Sequence, residues 1–127
     1  MDRWHLPSIE ATGKREPRVL LSTPACRAVI IDLQAGESMG DHQVHERAVV
    51  QVVSGKVRLG PLGAEAECSA GTLATFAPGE RHTLSAVEAS RILLLLAPWP
   101  GEGHYQEGKS ADPERMPSHA AAQPIQP

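Results

Sequence analysis

At 127 residues the chain has room for one domain with a single modest core. A formal net charge of −3, with acids and bases interspersed, gives no basic face for nucleic acid or for an anionic membrane. Aromatic residues make up only 3%, so the core must be Val, Leu, Ile and Ala, and few rings remain to stack on sugars or bases.

Residues 1–17 carry Pro7, Gly13, Pro17 and scattered charges, and read as an arm lying against the domain or against a partner chain. Met1-Asp-Arg-Trp-His-Leu-Pro lacks the apolar stretch of a secretory signal. The longest apolar run, Ile92–Ala97, falls well short of the roughly 18 residues of a membrane span. A soluble, cytoplasmic protein is expected, and with it Cys26 and Cys68 as two reduced core thiols, since they form no metal-type spacing.

From Arg18 to Pro98 short apolar runs alternate with turn signals every eight to twelve residues, the pattern of a sandwich or barrel. Strands are predicted over Arg18–Ser22, Arg27–Leu33, Ala48–Val53, Lys56–Leu59, Ala64–Cys68, Thr72–Phe76, His82–Val87 and Arg91–Ala97. Ser54-Gly55, Pro61-Leu62-Gly63, Ser69-Ala70-Gly71 and Pro78-Gly79 supply turns between them. No stretch keeps helical periodicity over twelve residues, so helices are minor.

Two strands are apolar on both faces. Val29, Ile31 and Leu33 oppose Ile30, and Ile92, Leu94 and Leu96 oppose Leu93 and Leu95. A sheet with one face in water would alternate with polar residues. Both faces are therefore expected to be covered, one by the interior and the other by the arm or by a second subunit, with a symmetric homodimer the simplest arrangement. Beyond Trp99 the sequence turns to Pro, Gly, Ala, Gln and Ser. Such a composition buries too little apolar surface to offset ordering, so 99–127 reads as a largely flexible tail. Its first part, through His104 and Tyr105, could still fold back over the barrel.

Two histidines stand out. His42 follows Gly36 in Gly36-Glu-Ser-Met-Gly-Asp-His42, ahead of a β-rich run closed by Gly55, and His82 follows Ala77-Pro78-Gly79-Glu80-Arg81. With them Gly36–Ala97 resembles a small single-domain cupin. That family is marked by a glycine, five residues and His-x-His, three or four residues on to a glutamate, and six more to a glycine. Its second motif is a glycine, five residues, Pro-x-Gly-x-x-His, three residues and an asparagine. The resemblance implies a double-stranded β-helix (cupin or jelly-roll) barrel, all-β, spanning 18–98, with a divalent metal held on three histidines and a glutamate at its open end.

The framework matches and the ligands mostly do not. Gly36, His42, Gly55, Gly79 and His82 keep their intervals. Val44 stands at the second histidine's position, Ala48 at the glutamate's, Ala77 at the proline's and Ala86 at the asparagine's, and six residues rather than five separate Gly71 from Pro78. Strand alternation sends His42 and Val44 to one face and His45 to the other, unless a bulge or turn near Val44 swings His45 inward. Glu46 could supply a carboxylate by the same rearrangement; otherwise His45-Glu46-Arg47 is a solvated rim.

The expected metal ligands are thus His42, His82 and, with a bulge, His45. Such imidazoles suit Zn, Fe, Ni, Mn or Cu, although two histidines alone would hold an ion weakly. A pocket for a small-molecule ligand is expected among Val44, Ala48, Val50, Phe76 and Leu84. Three readings stay open: a metal-assisted enzyme on a small metabolite, a metal-free binding or sensing module, and an interaction domain working through its dimer face.

Overall fold

The computed structural model describes residues 1–12, 17–40 and 43–101. Eight strands follow one 3-10 turn at Leu6–Ser8: β1 Arg18–Ser22, β2 Arg27–Leu33, β3 Arg47–Ser54, β4 Lys56–Gly60, β5 Ala66–Ser69, β6 Leu73–Phe76, β7 Thr83–Ala86 and β8 Ser90–Ala97. The pattern of short apolar runs and turns therefore located every strand to within two residues at either end. The largest shift is at β5, where Ala64 N–H donates to Pro61 O at 2.9 Å and Gly63 N–H to the Glu65 carboxylate at 3.2 Å. Those bonds hold 61–65 as a longer turn, so the strand starts at Ala66.

All pairings are antiparallel. One sheet runs β1-β2-β8-β3-β6 and the other β5-β4-β7. Gly36–Met39 extends the smaller sheet beside β7, through Gly36 N–H to Ala86 O, Ala86 N–H to Glu37 O and Met39 N–H to Leu84 O at 2.8–2.9 Å. Two antiparallel sheets folded around one interior form the all-β double-stranded β-helix expected from the sequence.

Register decides what faces inward. Cross-strand rows Arg27–Leu96–Ala48–Phe76, Val29–Leu94–Val50–Ala74 and Ile31–Ile92–Val52 run through the large sheet, and they meet Val57, Leu59, Leu84 and Ala86 of the small one. Each fully buried Val, Ile or Leu of this set contributes about 1.5–3 kcal/mol relative to exposure. The β3–β4 hairpin turns on Gly55, at φ +82°, where a Cβ would lie 2.3 Å from Ser90 Oγ and 2.4 Å from Ala89 O. Only a residue without a side chain fits there.

The outer face of the large sheet explains the doubly apolar strands in part. Asp32 accepts from Arg91 Nε at 2.7 Å, Arg91 Nη2 at 3.0 Å and Arg18 Nη2 at 3.2 Å. The same guanidiniums reach up to the arm: Arg91 Nη1 donates to Leu6 O at 2.8 Å and Arg18 Nη1 to Glu10 O at 2.6 Å. The described arm is thus pinned across the sheet of its own chain, and Ile30 has no exposure. Leu93, Leu95 and Val49 stay half-buried, while Leu21 and Leu73 are 41% and 62% exposed.

Both cysteines are free and half-buried rather than core thiols. Cys26 closes a turn, its N–H bonded to Thr23 Oγ1 at 3.3 Å, and Cys68 lies on β5 against the edge of the core. The tail from residue 102 lies outside the described residues.

Candidate functional site

The turn ahead of β7 sets the site. Glu80 N–H donates to Ala77 O at 3.0 Å, the Glu80 carboxylate accepts from Ala77 N–H at 2.9 Å, and Gly79 N–H reaches Val44 O at 2.8 Å. This ties the Pro78-Gly79 turn to the segment before β3 and presents His82 to the interior at 4% exposure. Its Nδ1 lies 3.1 Å from Glu80 O. A carbonyl only accepts, so Nδ1 is the donor in this bond. The ring also stacks on Phe76, centroids 4.1 Å apart and planes 15° from parallel. This hydrogen bond and the stack help fix its position.

His82 lines a cavity of about 30 Å³. The remaining lining is apolar: Ile31, Met39, Val44, Ala48, Val50, Leu84, Ile92 and Leu94. Of the pocket residues expected from the sequence, Val44, Ala48, Val50 and Leu84 meet here. Phe76 is buried and stands behind the His82 ring rather than on the wall. Ile31, Ile92 and Leu94 were not singled out beforehand, although their inward positions follow from the period-2 pattern of β2 and β8. Met39 carried no such signal.

The three expected metal ligands are not brought together among the described residues. His42 lies outside them. His45 is half-buried in the turn before β3 and does not line the cavity. The turn that could have swung His45 inward buries Glu46 instead, which has no exposure, while Arg47 is exposed. The reading of all three as a solvated rim fails for Glu46. Its Oε2 accepts from Gly101 N–H at 2.7 Å. A Cβ on Gly101 would come within 2.9 Å of His45 O, so the segment following β8 packs tightly against the turn before β3.

On β2 Arg27 is buried with its Cζ 4.5 Å above the Trp99 ring. Arg27 stands in the same cross-strand row as Ala48 and Phe76, the latter stacked on His82. Glu46 and Gly101 are far apart in sequence, as are Arg27 and Trp99, and nothing local announces either contact.

Does this lining fit the implied ion? A stable site for Zn, Fe, Ni, Mn or Cu takes three or more protein donors. Among the described lining residues His82 is the one with a donor side chain, and Val44 and Ala48 place methyl groups where the resemblance implies an imidazole and a carboxylate. Among the described residues no group of three or more His, Cys, Asp or Glu is arranged to hold a metal. The described donor set does not fit.

No protein-family model matches the chain, and no curated protein does. Solved structures do. A protein with a double-stranded β-helix domain from Klebsiella pneumoniae matches at 21% identity and TM-score 0.66, over 75% of this chain and 88% of that one. An RmlC-like cupin from Desulfovibrio desulfuricans matches at 16% and 0.69, over 77% and 97%. KdgF from Halomonas sp. matches at 23% and 0.61, over 65% and 78%. At these identities the likeness is one of fold: the chain has the double-stranded β-helix of small cupin proteins.

Proposed function

We propose that this cupin-type domain binds a small neutral molecule in the cavity beneath His82, without a metal and without turnover. The observation that carries the reading is the described cavity wall, eight apolar side chains and one imidazole held by the Glu80 carbonyl. Such a wall favours an uncharged group, because an ion would lose its hydration there without receiving enough partners. A volume of about 30 Å³ takes roughly one or two water-sized groups, so a ligand inserts a small end and leaves the remainder at the mouth. Among the described residues no carboxylate lines the cavity beside the imidazole, and the reading is one of binding.

Thermal-shift titration with short alcohols, amides and phenols tests this. Saturable stabilisation is expected, about 2.7 kcal/mol when free ligand stands near a hundred times its Kd. Ala48→Val adds methyl groups into the cavity and is expected to abolish it. Absence of any saturable shift across such a panel, or equal shifts in Ala48→Val, contradicts the reading.

A homodimer is proposed with it. Leu21, Leu73, Leu93, Leu95 and Val49 share the outer face of the large sheet beyond the arm, and a second copy packed face to face would cover them.

A further inference from the structure

A second cavity, of about 310 Å³, lies on the far side of the sheet from His82, between the arm and the start of β8. Pro7, Ile9 and Ala11 form its roof, while Asp32, Ala89 and Arg91 lie on the sheet side. Its volume is in the range of small-molecule sites, roughly ten times that of the His82 cavity. The charge count beneath it is uneven. Among the described residues two guanidiniums, Arg18 and Arg91, share the one carboxylate of Asp32, with side chains 10%, 7% and 15% exposed.

Arg91 spends Nε and one N–H of Nη2 on that carboxylate and one N–H of Nη1 on Leu6 O. One N–H remains on each terminal nitrogen. Around this cation the roof is apolar. The Glu37 carboxylate is bonded to the N–H of Gln34, a lining residue, at 2.6 Å, which keeps its charge on the turn beyond β2.

We propose that this cavity is a binding site for a small organic monocarboxylate, whose anionic end pairs with Arg91 and whose hydrocarbon part lies under Pro7, Ile9 and Ala11. A guanidinium held in place by its own ion pair is pre-organised to take a carboxylate, and an apolar roof rewards a carbon chain attached to it. The arm is then part of a binding site as well as a cover for the sheet.

The test is a titration of the full-length, isotope-labelled protein with hexanoate and, separately, hexanol, followed by amide NMR shifts. Hexanoate is expected to give saturable shifts confined to 8–11, 32–34 and 89–91, and hexanol none in those segments. Arg91→Gln should lose the response, but it also releases the arm. Ala11→Phe therefore serves as the second variant: it fills the cavity, leaves the ion pairs in place, and should weaken binding at least about tenfold with the arm still docked. Hexanol matching hexanoate in those segments, hexanoate shifts centred on His82, no saturable shift with hexanoate, or wild-type affinity in Ala11→Phe would each overturn the proposal.

Discussion

His82 is held from two sides, by Glu80 O and by the Phe76 ring, and it closes one wall of the cavity. Removing the ring loses the stack and enlarges a void that the rigid barrel cannot collapse into. His82→Ala is expected to destabilise the domain by about 2–3 kcal/mol in urea denaturation. His45 lies half-buried and off the cavity, so His45→Ala should cost clearly less. The reverse order would mean that the two imidazoles have been assigned the wrong weights. His82 was legible because a Pro-Gly turn followed by a strand fixes where the next inward side chain falls. Glu46 was not, because a turn at 45–46 interrupts the alternation that strand reasoning depends on. Arg27 over Trp99 brings together β2 and the chain after β8, a pairing that only the completed fold creates.

At the scale of elements, two local devices hold the strands in register. Gly55 combines a positive φ with backbone and Ser90 atoms closer than any Cβ tolerates. Gly55→Ala should therefore cost on the order of 2–3 kcal/mol, above the usual effect of a surface change, and shift the denaturation midpoint accordingly. A midpoint within a few tenths of wild type would show that the hairpin can relax. The second device is Asp32 between Arg18 and Arg91. Asp32→Ala leaves two largely buried like charges facing each other, and a loss of about 3 kcal/mol is expected, together with faster amide exchange in residues 6–10 as the arm loosens. Stability loss without change in exchange would separate the ion pairs from arm docking. The strands themselves were readable because turn residues and period-2 runs are local signals. The ion-pair triad was not, since Arg18, Asp32 and Arg91 meet only once β1, β2 and β8 lie side by side.

For the whole molecule, the doubly apolar strands are answered on one side by the barrel interior and on part of the other by the chain's own arm. The remainder, centred on Leu95, is where the proposed second copy packs. Leu95→Lys is expected to turn a dimer into a monomer in analytical ultracentrifugation while leaving the barrel folded; a wild-type protein that sediments as a monomer at tens of micromolar removes the dimer. The framework glycines and turns transmitted the fold, whereas the four ligand positions of the resemblance did not transmit a function, because Val44 and Ala48 change what the interior can coordinate. The most direct test is elemental analysis of protein purified after growth with added Zn, Fe, Ni, Mn and Cu, wild type beside His82→Ala. An apolar pocket with one described imidazole predicts far less than one metal per chain in both; close to one per chain in the wild type, lost on replacing His82, would contradict it.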